Sequence, residues 1–236
     1  MKNQLTPLTV LLLVCYMIVT VLSAFFDKAF LEFALPITLL VIIMNYYHES
    51  KNVNYFFIIS IISSMMLDYF IYTDLIDNFS IACIATFSYL ITSCLALKDY
   101  FFQIKLQWTK LISVPLLISL ALVIFLVISI SDFVLYLVPN ATPYIIIAVV
   151  PLLMYVTISY YIFVSDRYNT GIKLLFAACL CIVTVALCPI NELFYPSPVF
   201  TILVTTAHIL GFYLFMQFLT KTAPAADLIP ETPKYI

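Results

Sequence analysis

Charge and glycine are scarce in this sequence, and their scarcity limits the kinds of protein it can encode. Of 236 residues, 9% are charged and 65% are hydrophobic, and the mean hydropathy is +1.15. A water-soluble domain could not cover so much apolar material with polar surface. The lone arginine and the scattered lysines form no basic patch for a nucleic acid. Glycine occurs only 2 times, which argues against the paired broken helices of many transporters.

Long apolar segments account for most of the chain. Each is close to the ~20 residues that a helix needs to cross about 30 Å of hydrocarbon. We therefore predict an all-α fold: a polytopic bundle of about eight transmembrane helices in a cell or inner membrane. Residues 1–220 form the single domain, and residues 221–236 a short disordered cytoplasmic tail. The predicted spans are Leu8–Phe26, Phe30–Tyr47, Tyr55–Tyr72, Phe79–Leu97, Leu111–Ile130, Tyr144–Val164, Leu174–Ile190 and Val199–Leu219.

The basic residues sort almost completely to one side of these eight segments. When the chain is threaded back and forth, only Lys28 falls on the second side. Positive residues favour the cytoplasmic side of a membrane, so both termini are predicted to be cytoplasmic. The first segment is expected to remain as a helix, because its apolar run exceeds the roughly 7–15 residues of a signal-peptide core. The residues on the first side are Lys2, Lys51, Lys98, Lys105, Lys110, Arg167, Lys173, Lys221 and Lys234.

All 6 cysteines lie within predicted spans, where a thiol behaves as a small hydrophobe. Cys179 and Cys181 form the closest pair, but residues two apart point to nearly opposite faces of a helix. Neither spacing nor neighbours suggest a metal site, and no cofactor is predicted. Membrane lipids are the expected partners, and the sequence identifies no protein partner.

Two ionisable residues inside the predicted spans are the main functional candidates, because such groups are costly in hydrocarbon unless paired or facing a cavity. Asp68 lies about one turn before the end of the third span. It either acts as a general acid or joins Asp74 and Asp77 in a hydrated acidic rim. His208 lies near the middle of the last span, on one face with Thr201 and Thr205. It is either a functional residue or a structural histidine whose hydrogen bonds are satisfied by another helix.

Three further polar residues, Glu32, Asn191 and Glu192, fall at the ends of spans. Solvation at the membrane interface explains their positions without a functional role. We therefore expect them to be in contact with water.

Short motifs in several spans resemble those of the lysoplasmalogenase-like (YhhN) family of eight-helix membrane proteins. Pro36-Ile37-Thr38-Leu39 is similar to the family's Pro-Leu-Thr-Leu run on helix two. Ser64-Met65-Met66-Leu67-Asp68 is similar to Ser-x-x-Gly-Asp on helix three, with leucine in place of glycine. Tyr213-Leu214-Phe215-Met216-Gln217 is similar to Tyr-x-x-x-Gln on the last helix.

Two departures from the family pattern are equally specific. The family carries a histidine on helix four, where this chain has Phe87-Ser88-Tyr89. It carries a Ser-Asp pair on helix seven, where this chain has Ile182-Val183-Thr184. His208 either compensates for these losses or the protein is a non-catalytic relative.

The resemblance implies hydrolysis of the vinyl ether bond of lysoplasmalogen-type lipids. That reaction requires an acid to protonate the vinyl carbon and a water molecule to attack the resulting cation. In this interpretation Asp68 is the catalytic acid and His208 orients water. Substrate-binding roles would fall to Ser64, Tyr89, Tyr213 and Gln217.

Two other classes of function are consistent with the residues. A transporter could use Asp68 and His208 as a proton relay. A non-catalytic scaffold or assembly subunit would explain the missing family residues. A closed, water-accessible pocket shared by Asp68 and His208 would favour an enzyme, a continuous polar path would favour transport, and the absence of both would favour a scaffold.

The distribution of basic residues makes a topological prediction. Reporter fusions placed after Lys51, Lys105, Lys173 and Lys234 should all report a cytoplasmic position. A fusion near Asn140 should report the opposite side. A cytoplasmic Asn140 would contradict the eight-span topology at its fifth or sixth helix.

Overall fold

A computed structural model describes residues 7–104, 114–138 and 140–222, and all regular structure in these ranges is helical. The long helices pack into one bundle, joined by short turns. In chain order they are α1 (Pro7–Phe25), α2 (Leu31–Glu49), α3 (Tyr55–Asp74), α4 (Phe79–Ala96), α5 (Lys98–Phe102), α6 (Val114–Leu137), α7 (Thr142–Val164), α8 (Gly171–Pro189) and α9 (Pro198–Lys221). A short 3₁₀ turn covers Lys28–Phe30, and a π turn covers Ile190–Phe194.

In the described residues, 7 helices are long and apolar enough to cross a membrane, namely α1–α4 and α7–α9 with their adjoining turns. This confirms the predicted all-helical fold, and the seven apolar helices are compatible with a multi-pass membrane protein. The bounds of these helices agree with the predicted spans to within three residues. After α8 the chain continues as the π turn, of which the predicted span includes only the first residue.

The sixth helix differs most from its predicted span. The fifth predicted span, Leu111–Ile130, ends too early in the sequence, because α6 continues to Leu137. Ser129 and Ser131 donate side-chain hydrogen bonds to the carbonyls of Phe125 and Val127, so these serines do not interrupt the helix. Asp132 faces solvent or headgroups on the exposed side. Residues 111–113 of that span lie outside the described residues, as do residues 223–236 of the predicted tail.

Hydrogen bonds between turns define the two ends of the bundle. At one end, called the Lys28 end, Lys28 Nζ lies 2.9 Å from Glu192 Oε1 and joins the α1–α2 turn to the α8–α9 turn. At the opposite end, called the Lys51 end, Asn54 Nδ2 donates to the Ala96 carbonyl at 2.9 Å. Tyr100 Oη donates at the same end to the carbonyl of Thr222 at 2.8 Å.

The last helix packs against α1, α2 and α8. Its contact with α8 is close. A Cβ atom on Gly211 would lie 3.6 Å from Leu180 Cβ and 3.7 Å from the Ala177 carbonyl oxygen. Small residues at such an interface let helix backbones approach in lipid, where the hydrophobic effect does not drive helices together.

Four buried rings cross the bundle between its middle and the Lys51 end, and we call them the aromatic layer: Tyr46, Phe57, Phe215 and Tyr155. The ring centroids of Tyr46 and Phe57 lie 4.8 Å apart, those of Phe57 and Phe215 5.1 Å, and those of Tyr155 and Phe215 5.8 Å. Such tilted and edge-to-face pairs stabilise packing beyond simple burial. Through these ring–ring contacts the layer connects α2, α3, α7 and α9.

Asn45 on α2 is an exception to the rule that buried polar groups are hydrogen-bonded. Its side chain is 0% exposed. Neither of its amide atoms has a hydrogen-bond partner among the described residues. An amide in this state loses its interactions with water and gains nothing in exchange.

Replacing Asn45 by Leu, which has the same branched arrangement of side-chain heavy atoms, should therefore stabilise the bundle. We expect the free energy of unfolding to rise by about 1–3 kcal/mol, the desolvation cost of an unpaired polar group. Denaturation in detergent micelles would measure it. Asn54→Leu is the matched control and should destabilise, because the Asn54 amide is bonded to Ala96. A less stable Asn45→Leu protein would contradict the prediction.

Candidate functional site

Helix geometry brings the two ionisable candidates together. Ser64 and Asp68 are four residues apart on α3 and share its buried face. His208 lies on the buried face of α9, one turn beyond Thr205. Exposure is 0% for Ser64, 4% for Asp68 and 8% for His208. All three side chains therefore face the bundle interior and not lipid.

A single nitrogen of the imidazole contacts both side chains of α3. His208 Nε2 lies 3.2 Å from Asp68 Oδ2 and 3.2 Å from Ser64 Oγ. A carboxyl group and an imidazole in such contact can exchange one proton across the hydrogen bond. The prediction that Asp68 joins a hydrated rim with Asp74 and Asp77 is wrong, because Asp68 is enclosed and paired.

This arrangement is not the relay of a serine hydrolase. In that relay the carboxylate holds Nδ1 of the histidine, which leaves Nε2 free to accept the serine proton. Here the Asp68 carboxyl and the Ser64 hydroxyl both lie within hydrogen-bonding distance of the same nitrogen, His208 Nε2. The geometry suits acid–base chemistry by the Asp68–His208 pair and does not activate Ser64 as a nucleophile.

A small internal cavity of about 30 Å³ lies beside His208. His208 and Tyr89 lie in its wall, together with Cys181 and Thr184 of α8, but Asp68 does not. This volume is enough for about one or two water molecules, and several polar side chains surround it. We call this space the inner cavity. His208 is thus the member of the pair that a molecule in the inner cavity would contact.

A second, apolar cavity of about 140 Å³ adjoins the inner cavity. It lies between α3, α4, α6, α7 and α8, in the half of the bundle toward the Lys28 end. Leu67, Thr184 and Val185 line both spaces, so the two are separated only by these side chains. Its lining is almost entirely hydrocarbon, as in sites that hold apolar parts of ligands.

Of the other residues predicted for the site, Tyr89 lies in it and two do not. Tyr89 Oη donates to Cys181 Sγ at 3.3 Å, and its ring packs on Phe212 with a centroid distance of 5.2 Å. Gln217 is also buried, but it is nine residues beyond His208, about 13 Å along the helix axis. Its Nε2 lies 3.3 Å from Glu49 Oε2. Tyr213 is only half-buried, and neither it nor Gln217 lines the inner cavity.

Asn191 corrects one expectation from the sequence. It is 0% exposed and is not solvated at the interface. Its Nδ2 donates to Glu192 Oε1 at 2.6 Å and to Thr201 Oγ1 at 3.1 Å, and its Oδ1 accepts from the Ser197 amide at 3.2 Å. Buried side-chain polar groups therefore extend from the Lys28–Glu192 ion pair into the bundle, along the α9 face that carries His208.

Several wall residues of the inner cavity escaped the sequence analysis, among them Cys181, Thr184 and Phe212. The His208 and Phe212 rings meet edge to face, with centroids 5.3 Å apart. One signal was available. Ala177, Cys181 and Thr184 recur at helical spacing, and Ala207 and Gly211 are small residues four apart, a pattern that predicts close packing of α8 on α9.

Metal chemistry finds no support in the described parts of the chain, where no group of three or more His, Cys, Asp and Glu side chains could hold an ion. The six cysteines are free thiols.

No protein-family model, curated protein or solved structure matches this chain.

The contact between Asp68 and His208 predicts strong energetic coupling. His208→Leu should lower the free energy of unfolding by about 3 kcal/mol or more, because it leaves the Asp68 carboxyl buried without its partner. In the double variant with Asp68→Leu, the loss should fall short of the sum of the single losses by about 1–3 kcal/mol. Chemical denaturation in detergent micelles would supply all four values.

The hydroxyl pair of Tyr16 and Thr206, 3.3 Å apart, is a neutral control. A cycle of Tyr16→Phe and Thr206→Val should give a coupling of about 0.6 kcal/mol, typical of hydrogen bonds between membrane helices. Equal coupling in the two cycles would show that the Asp68–His208 contact has no special electrostatic weight.

Proposed function

We propose that this chain is a membrane hydrolase that cleaves the vinyl ether bond of lysoplasmalogen-type lipids at the Asp68–His208 pair. We also propose that it crosses the membrane eight times, with α6 as the fifth crossing and both termini in the cytoplasm. The observation that carries the first proposal is the 3.2 Å contact of the two ionisable side chains beside an internal cavity.

The arrangement of the helix ends supports this topology. Thr222 lies at the Lys51 end, and α1 runs toward Lys28, so both described chain ends lie at the Lys51 end. This arrangement favours an even number of crossings, with α6 as the crossing beyond the other seven. Five of the six described basic residues lie at the Lys51 end, which favours that end as cytoplasmic.

The cavity walls favour roles for the pair that differ from those the family resemblance implies. His208 lies in the wall of the inner cavity and Asp68 lies behind it. His208 is therefore the group that gives a proton to the substrate, and Asp68 positions the imidazole and stabilises its protonated form. Tyr89 and Thr184, which stand where the family carries other residues, line the same cavity. This supports the idea that His208 compensates for them.

In the proposed reaction His208 gives up one proton and later receives one back. His208 donates a proton to the vinyl carbon that is not bonded to oxygen, and the other carbon becomes an oxocarbenium-like centre. Water adds to that centre and returns a proton to His208. The resulting hemiacetal collapses to a fatty aldehyde and a free hydroxyl on the lipid. The adjoining apolar cavity supplies a place for the hydrocarbon part of such a substrate.

Transport is less well supported, because the aromatic layer separates His208 from the Lys51 end. Phe215 lies seven residues beyond His208, about 10 Å along α9. In the described part of the chain, no series of hydrogen-bonded side chains crosses the layer. Asp68 does not line the inner cavity with His208, but a small cavity bounded on one side by packed rings suits an enzyme better than a path through the membrane.

Purified protein should release aldehyde from a lysoplasmalogen in detergent micelles. His208→Gln should lower the rate by about 10²–10⁴-fold, the usual contribution of a general acid. Asp68→Asn should lower the rate less than His208→Gln does, since the amide can still hold the imidazole in place although it lacks the negative charge of a carboxylate. Coupled aldehyde reduction would measure the rates.

Glu32→Gln is the matched control, because Glu32 accepts only an exposed hydrogen bond from Thr73. It should leave the rate and the pH profile unchanged. If the folded wild-type protein releases no aldehyde, the hydrolase proposal fails and a non-catalytic subunit becomes the better interpretation.

A further inference from the structure

A large polar cavity opens at the Lys51 end of the bundle, far from the Asp68–His208 pair. Its volume is about 730 Å³, against about 30 Å³ for the inner cavity. Three lysines from three different segments line it: Lys51 from the α2–α3 loop, Lys98 at the start of α5, and Lys221 at the end of α9. Asp99 is its one acidic lining residue. We call it the basic cavity.

The three lysines are not neutralised by other described residues. Within the described ranges, the ion pairs are Lys28 with Glu192 and His208 with Asp68. Lys98 Nζ lies 5.3 Å from the centroid of the Phe56 ring, a cation–π contact that leaves its N–H groups available as donors. Like charges gathered around one concavity repel one another, and an anion placed between them would remove that repulsion.

The rest of the lining separates this cavity from an ordinary rim of interfacial lysines. Its floor is aromatic and includes Phe56 and Tyr55, and Tyr55 is 71% exposed on the outer face of α3. The cavity therefore extends from the charged end of the bundle onto the exposed surface of α3. In the proposed topology this boundary lies at the cytoplasmic leaflet, which carries the anionic lipids, and a polar headgroup with its apolar stem would fit it.

We propose that the basic cavity binds a phosphate group that carries net negative charge, held by Lys51, Lys98 and Lys221. Its position at the edge of the bundle gives access both to an anionic phospholipid headgroup and to free phosphate from the aqueous side.

The basic cavity is not the headgroup pocket of the proposed substrate. Lys221 is thirteen residues from His208 on α9, about 20 Å along the axis. A glycerophosphate places its phosphate within a few bonds of the ether oxygen, so one lipid cannot occupy both places with its reactive bond at His208. The site is a separate one, and its test does not depend on catalysis.

Native mass spectrometry of the full chain in neutral detergent can test the proposal with two probes, dioctanoyl phosphatidylglycerol and inorganic phosphate. Binding of either probe in preference to zwitterionic dioctanoyl phosphatidylcholine is expected, and the two arms identify the source of the phosphate. Each Lys→Gln change at 51, 98 or 221 should weaken binding about fivefold, the effect of one lysine near an anionic surface. The triple variant should lose at least tenfold.

Arg167→Gln is the control, since it removes the same charge at the same end of the bundle but outside the cavity lining. It should change binding less than twofold, and melting temperatures would show that every variant is folded. Equal losses in Arg167→Gln and the triple variant would overturn the proposal, as would binding of neither probe.

Discussion

The absence of water from the hydrocarbon core is the constraint on which this structure depends. Backbone amides and carbonyls have no partner there except one another, so every described segment long enough to cross is a helix. The same constraint acts on side chains. Ser64, Asp68 and His208 satisfy it through one shared set of contacts, and the hydroxyls of Ser23 and Thr205 do so as a pair 3.3 Å apart. Asn45 does not satisfy it, and its substitution therefore measures what an unpaired polar group costs in the bundle.

Much of the fold could be predicted from the sequence, because apolar runs report helix length directly. The bounds of α3 and α4 were predicted almost to the residue. The end of α6 was not, since the helix continues through the polar pair Ser131-Asp132, where the Ser131 hydroxyl bonds back to the helix. The π turn after α8 was also missed. It depends on the burial of Asn191 against Thr201, a tertiary contact without a local signal.

The site was only partly accessible to sequence reasoning. The cost of ionisable groups in lipid selected Asp68 and His208, and the spacing of Ser64 placed it on the same face. Which side chain faces the cavity depends on how α3 and α9 are rotated against each other, and no single helix encodes that rotation. Tyr213 and Gln217 were predicted for the site through the resemblance to the family's Tyr-x-x-x-Gln pattern. Neither lines the inner cavity, and Gln217 lies against Glu49 instead.

The aromatic layer makes the surroundings of the buried pair different toward the two ends of the bundle. Toward the Lys51 end, Phe57 and Phe215 place ring carbon next along the bundle from the pair. Toward the Lys28 end, Thr201 and Asn191 continue the polar face of α9 to within a turn or two of His208. In the proposed topology, the polar face that leads away from the centre of this protein therefore belongs to its non-cytoplasmic half, and its cytoplasmic half is closed by packed rings.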